Sequence, residues 1–283
     1  MAATDSASLR RGTWHDFPAP AAAGYFPSGI PYNRSGTGER PLVALQGLWF
    51  EHKPMPRWAA MNPYGFLGDT WTIFFVTRKP NLPPACTMRD MAADVAALIQ
   101  ESFDQPVDVA GISTGGSIAL HLAADHPEVV RRLVIHSAAH TLSESAKSLQ
   151  LRVAALAEQG KWFESYATLV RSVMPQTGFS SRFAGPMSRL VAWMMLAMFG
   201  RPASANDLVV TVLAEDQHAF RDRLSEIRAP TLVAAGDHDP FYSESLFRET
   251  AAGIPGARLA LYKGQGHPAN GADFKRDVRA FLL

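Results

Sequence analysis

The pentapeptide Gly111-Ile112-Ser113-Thr114-Gly115 stands between a short apolar run, Val107 to Ala110, and a stretch of small and apolar residues, Gly116 to Ala124. The first reads as a buried strand and the second as a helix whose start is rich in glycine and serine. A turn that joins a strand directly to a helix strains its central residue and leaves no space for side chains two positions to either side, where glycine stands here. The Ser113 hydroxyl is thereby held above the sheet, near the helix N-terminus, where backbone N–H groups and the helix dipole favour negative charge. A carbonyl attacked there would develop its oxyanion against those groups. The string alone is compatible with an ordinary turn, so a base and an acid must be found downstream.

The chain has 283 residues, enough for one large α/β domain or for such a domain with an insertion. Its single cysteine, Cys86, can form no internal disulfide, and a reduced, cytoplasmic setting is expected. With 27 basic and 26 acidic residues the formal net charge is +1, without long runs, so neither nucleic acid nor an anionic membrane is an expected partner. Arg10 and Arg11 have no apolar run behind them to make a secretory signal. The longest apolar stretch, Leu190 to Phe199, is far short of the roughly 20 residues that cross a bilayer.

Four segments follow from periodicity and composition. Residues 1–27, rich in proline and alanine, read as an arm, and 28–140 as the first part of an α/β core. In that core Ile30 to Arg34 is an edge-strand candidate because of Pro31, and Leu42 to Leu45 and Trp71 to Val76 are strands buried on both faces. Met88 to Phe103 has helical spacing, and Leu133 to Ile135 continues a strand–helix alternation that implies parallel strands. Residues 141–207 are helical in pattern throughout, with breakers at Gly160, Pro175, Gly178, Gly185-Pro186 and Gly200-Arg201-Pro202, and read as a helical cap. The alternation resumes over 208–283, with strands at Thr231 to Ala235 and Arg258 to Tyr262 and helices at Ser243 to Ala252 and Phe274 to Leu283. The fold class is α/β, with helices on both faces of the sheet.

In an open parallel sheet the working residues lie beyond the carboxyl ends of strands. Among nine histidines, His267 follows the last strand in Gly264-Gln265-Gly266-His267-Pro268, a loop able to carry an imidazole back over the sheet. His15, His52, His121 and His126 read as structural or solvent-facing. His136 and His140 stand four apart, but no further His, Glu or Cys cluster accompanies them, and no metal is expected. Gly236-Asp237-His238-Asp239-Pro240 offers two carboxylates after a strand. Asp239 is preferred, since a residue before proline is pushed to an extended conformation; Asp237 is the alternative, or a turn-former. Gln46-Gly47-Leu48-Trp49 follows the Leu42 to Leu45 strand, and Gly47 would let the N–H of Leu48 join that of Thr114 as an oxyanion donor.

These segments, with His126-Pro127-Glu128-Val129-Val130, resemble the α/β-hydrolase superfamily in its branch with a helical cap, from about Ile30 to the C-terminus. The resemblance implies a mostly parallel eight-stranded sheet, a triad of Ser113, Asp239 and His267, oxyanion N–H groups at Leu48 and Thr114, and no cofactor. Serine at 113 argues against members that need a carboxylate nucleophile and leaves esters, thioesters, lactones or amides. Two positions depart from the family: Gln46 stands where histidine usually precedes the oxyanion-loop glycine, and Thr77-Arg78-Lys79-Pro80-Asn81 replaces a glycine-rich stretch.

The expected substrate is a small apolar or aromatic molecule. Trp193, Met194 and Met198 of the apolar cap segment would line its pocket unless they pack on the core, and Trp49, with Phe50, Met55 and Trp58, would add an aromatic wall. An acyltransferase, a lyase or cofactor-free oxygen enzyme, and a non-catalytic binder on the same scaffold are the competing functions. A homo-oligomer is compatible with the sequence.

Overall fold

Short apolar runs without alternation, rich in β-branched and aromatic residues, suit strands covered on both sides. In the computed structural model, which describes residues 23–55, 62–174 and 181–283, they form the middle of one eight-stranded sheet. The strands are β1 (Ala23–Tyr25), β2 (Pro31–Ser35), β3 (Arg40–Leu45), β4 (Trp71–Val76), β5 (Val107–Ile112), β6 (Val130–His136), β7 (Thr231–Gly236) and β8 (Arg258–Tyr262), in spatial order β1-β2-β4-β3-β5-β6-β7-β8. The β1–β2 and β2–β4 pairs are antiparallel and the others parallel.

Successive residues of β3 feed opposite layers: Val43 and Leu45 pack into one apolar cluster, Leu42 and Ala44 into another. The first layer is covered by helices α1 (Met88–Ser102), α2 (Thr114–Asp125) and, farther along, α7 (Glu244–Gly253); the second by α8 (Ala272–Leu282). Helix α1 starts at a capping box in which Thr87 and Asp90 satisfy each other's backbone N–H.

Between β6 and β7 lie α3 (Glu144–Glu158), α4 (Trp162–Ser172), α5 (Ser181–Phe199) and α6 (Asn206–Asp216). They share a separate apolar cluster that includes Val153, Trp162, Tyr166, Ala192, Leu208 and Val212. Among the described residues, no helix is long and apolar enough to cross a membrane.

Three features differ from the sequence expectations. Ile30 to Arg34 does not form the edge: β1, drawn from the proline-rich arm, pairs outside β2, and Pro31 is tolerated as the first residue of its strand. The Gly185-Pro186 pair does not end a helix. Pro186 lies inside α5, which continues because Ala192, Met195 and Leu196 pack into the apolar cluster of α3 to α6 and tertiary burial outweighs one lost ladder bond. The last helix of the segment between β6 and β7, expected to end by residue 207, runs on to Asp216. Residues 1–22, with His15, and Trp58, Pro175 and Gly178 lie outside the described residues.

Candidate functional site

Ser113 connects β5 to α2 with no intervening residue, and its backbone is at φ 51°, ψ −125°, the left-handed side of the map that non-glycine residues avoid. The flanking glycines permit the close packing around this turn. A Cβ on Gly111 would lie 2.4 Å from the Gly115 carbonyl oxygen, and one on Gly115 would lie 2.3 Å from that of Leu45. Ser113 N–H donates to His136 O at 3.0 Å, and its carbonyl accepts from Gly116 N at 2.6 Å, so the turn is tied to β6 and to the helix it opens. The Ser113 residue is 8% exposed and Thr114 fully buried.

The loops after β3, β7 and β8 leave the carboxyl ends of parallel strands, the same end of the sheet as this turn. Gly47 lies against Ser113: a Cβ there would stand 3.3 Å from Ser113 Cβ and 3.9 Å from its Oγ. Among the described residues neither Leu48 N–H nor Thr114 N–H has a hydrogen-bond acceptor. Asp239, its side chain fully buried, places Oδ2 2.7 Å from His267 Nδ1. Its Oδ1 accepts from Phe241 N at 2.9 Å and Tyr242 N at 3.3 Å, so the carboxylate is anchored to its own loop. Asp237 turns elsewhere and accepts from Gly264 N at 2.7 Å. The two carboxylates of the loop are therefore distinguished by geometry: Asp239 faces the imidazole, and Asp237 braces the loop that carries it.

His136 and His140 are each held by hydrogen bonds to protein groups. His136 Nε2–H donates to Ala269 O at 2.7 Å and its Nδ1 accepts from Tyr64 Oη at 3.0 Å, while His140 Nδ1 pairs with Thr250 Oγ1 at 3.1 Å. Ala269 N–H in turn donates to Ser137 Oγ at 2.9 Å, so both polar groups of a residue two positions beyond His267 are held by the end of β6. Burial lowers the His136 pKa to about 3, against the Ala269 bond, which raises it. In the unfolded chain the same ring titrates near 6.5, so between these values the unfolded state binds more protons and stability falls as pH drops. The His136 contribution lost between pH 7 and pH 5 is about 2 kcal/mol. Urea unfolding at both pH values checks this: the His136→Gln variant should show a pH-dependent loss smaller by about that amount, and an equal loss in both proteins would refute it.

The cap residues expected to line a pocket face another way. Trp193, Met194 and Met198 are 61%, 45% and 43% exposed on α5, and no described contact brings them to Ser113. Trp49 is half-buried and meets Phe199 edge-on, with ring centroids 5.6 Å apart; Phe50 is buried and stacks on Tyr166 at 3.8 Å. A cavity of about 680 Å³ lies instead among α3, α4 and α5, walled by Ala146, Leu149, Leu156 and Ala167 and by three arginines, Arg152, Arg171 and Arg189. It reaches Phe241, whose ring centroid is 4.6 Å from that of His267.

Three further buried polar groups, to which the sequence pattern gives no role, are Glu215, Tyr242 and Arg78. Glu215 of α6, fully buried, accepts from Thr114 Oγ1 at 2.6 Å and Ser117 Oγ at 3.0 Å; burial pushes its carboxyl up, against those bonds and the Arg78 charge. The Tyr242 phenol is held well above its ordinary value, by burial first and then by the Glu215 and Asp239 carboxylates, with the Ser113 and Ser117 hydroxyls opposing. Arg78 is 3% exposed and bonds the backbone of the Gln46-Gly47 loop.

A family model described as the alpha/beta hydrolase fold matches residues 77–271. RutD of Serratia proteamaculans, a protein named for carbamate hydrolysis, is 27% identical over 209 residues, covering 72% of this chain and 76% of its own. A pyrrolizixenacetamide deacetylase of Xenorhabdus hominickii is 25% identical over 205 residues, 69% of this chain and 73% of its own. The crystal structure of a hydrolase from Pseudomonas aeruginosa superposes with a TM-score of 0.72 at 24% identity, covering 92% of this chain and 97% of that one, a likeness of fold. The elbow at Ser113, the mostly parallel sheet beneath it and the family match over more than half the chain agree: this chain belongs to the α/β-hydrolase family.

Proposed function

We propose that this α/β hydrolase is a serine hydrolase that cleaves a carboxylic ester, thioester or lactone of a small apolar or aromatic substrate through an acyl-serine. The observation that carries the reading is the strained backbone of Ser113 at the start of α2. A non-glycine residue at φ 51° costs of order 1–3 kcal/mol and persists where the surroundings over-determine it, which is the situation of a hydroxyl that must stand clear of its own turn.

In this mechanism Ser113 Oγ attacks the substrate carbonyl carbon while His267 Nε2 takes its proton. The Asp239 carboxylate, bonded to Nδ1, holds the ring in the tautomer that can accept and stabilises the imidazolium that forms. The oxyanion lodges between Leu48 N–H and Thr114 N–H, and on its collapse the imidazolium gives its proton to the departing alcohol or thiol oxygen or sulfur. Water then attacks the acyl-serine by the same route, returning the proton to Ser113 and releasing the carboxylic acid. The apolar part of the cavity wall beside Phe241 suits an apolar acyl or aromatic group, and Arg152, Arg171 and Arg189 line other parts of it.

Labelling with a fluorophosphonate tests the nucleophile, and a panel of chromogenic esters tests the substrate. Labelling of the wild-type chain that is absent from Ser113→Ala, with faster turnover of aryl and medium-chain acyl esters than of short polar ones, is the expected result. Equal labelling of both proteins would refute the serine assignment. Preference for short polar acyl groups would refute the substrate class alone.

A further inference from the structure

The oxyanion loop begins at the position where the sequence departs from its family, Gln46, and just beyond β4 lies the second departure, Thr77 to Asn81. The two meet at Arg78. Its guanidinium is buried, and each nitrogen has an assigned acceptor: Nε donates to His52 Nε2, Nη1 to Gln46 O and Nη2 to Gly47 O, all at 3.0 Å. His52 is kept neutral by its burial and by the Arg78 charge. Its Nδ1–H donates to Lys79 O at 3.2 Å, leaving the Nε2 lone pair for Arg78. The planar fork is therefore locked along three edges.

The consequence follows from peptide geometry. Gly47 C=O and Leu48 N–H belong to one peptide unit, which is planar and trans, so the two bonds point in opposite directions. A guanidinium that holds Gly47 O on one side turns Leu48 N–H to the other, in a loop whose Gly47 lies against Ser113. Because Gly47 O accepts a charge-assisted bond, the peptide is polarised and its N–H becomes a stronger donor. No carboxylate touches Arg78 among the described residues; Glu215 and Asp207 of α6 balance it through space. Its charge is thus available to the peptide rather than spent in a contact ion pair.

We propose that Arg78 is a positioning residue for the hydrolytic reaction: its fork fixes the Gln46-Gly47-Leu48 backbone and aims Leu48 N–H at the developing oxyanion. The inference rests on the oxyanion reading given above. It assigns to an arginine after β4, within the second departure from the family pattern, the task of shaping this loop. Lysine cannot replace it, since an ammonium has no planar fork to hold two successive carbonyls and His52 together.

The test compares an aryl carboxylic ester with the thionoester of the same acyl and aryl groups, whose sulfur accepts oxyanion-hole hydrogen bonds poorly. Wild-type enzyme should favour the ester far beyond the ratio found in alkaline hydrolysis. In Arg78→Lys, kcat for the ester should fall about 10- to 100-fold, a partial loss of the effect of deleting one oxyanion donor. Its KM should stay within about threefold, and the ester-to-thionoester ratio should collapse towards the alkaline value. If Arg78→Lys does not fold, His52→Leu, which frees one edge of the fork and keeps the charge, should move the ratio the same way by a smaller factor. A large wild-type ratio preserved in the variant, or ester and thionoester rates falling together with the melting temperature, overturns the role of Arg78 alone. A wild-type ratio already at the alkaline value overturns the oxyanion reading and, with it, this proposal.

Discussion

Replacing Ser113 with alanine is expected to lower kcat for an aryl ester by about four to six orders of magnitude, the range found when the nucleophile of a serine hydrolase is removed. KM should change little, because the hydroxyl contributes to the transition state and not to ground-state binding. A parallel stability measurement makes the result specific. Ser113 sits at φ 51°, ψ −125°, where an alanine Cβ is as strained as that of serine but glycine is at ease. Ser113→Gly should therefore be more stable than Ser113→Ala by about 1 kcal/mol, although glycine loses more entropy on folding. Two equally inactive variants that differ in stability in that order would show that the site holds a strained nucleophile at the expense of the fold. Retention of more than about 1% of wild-type kcat in Ser113→Ala, in protein free of wild-type contamination, would remove Ser113 from the chemistry.

Much of this geometry was legible because it depends on local rules. The elbow needs glycine where side chains would strike Gly115 and Leu45 carbonyls, and the sequence has glycine there. Strands such as Trp71–Val76 announce themselves by unbroken apolar runs, since a strand covered on both faces has no polar side to show. The proline after Asp239 favours it over Asp237 in the sequence; in the structure Asp239 Oδ2 lies 2.7 Å from His267 Nδ1, and Asp237 accepts from Gly264 N. What sequence could not reach were contacts between residues far apart in the chain. Glu215 is 98 residues from Ser117, and its buried carboxylate looks in the sequence like any helix surface acid. Arg78 was visible only as a break in a family pattern, because nothing local says that an arginine after a strand will fold inward onto a loop 31 residues earlier. Trp193, Met194 and Met198 illustrate the converse: an apolar segment marks a helix with something to bury, but the exposed face of α5 is fixed by packing of Met195 and Leu196 against the neighbouring helices.

Asp239→Asn should lower kcat by about 10⁴-fold while leaving the fold intact, and the hydrogen bonds show why an isosteric change can be so costly. Oδ1 of Asp239 accepts from two backbone N–H groups, Phe241 and Tyr242. An asparagine at 239 must keep its carbonyl oxygen on those donors, because turning the amide round would set N–H against N–H. Its NH₂ then falls where Oδ2 now stands, 2.7 Å from His267 Nδ1. To meet a donor, Nδ1 must become an acceptor, and the proton moves to Nε2. An imidazole protonated at Nε2 cannot take the Ser113 proton, so the variant keeps its geometry and loses its base. Asp237→Asn changes none of this, since its oxygen can still accept from Gly264 N, and should keep kcat within a few-fold of wild type. Nitrogen-15 NMR of the His267 ring distinguishes the tautomers directly. The Nδ1–H form is expected in the wild type and the Nε2–H form in Asp239→Asn, whereas the same tautomer in both, or equal losses from the two aspartate variants, would contradict the assignment of Asp239.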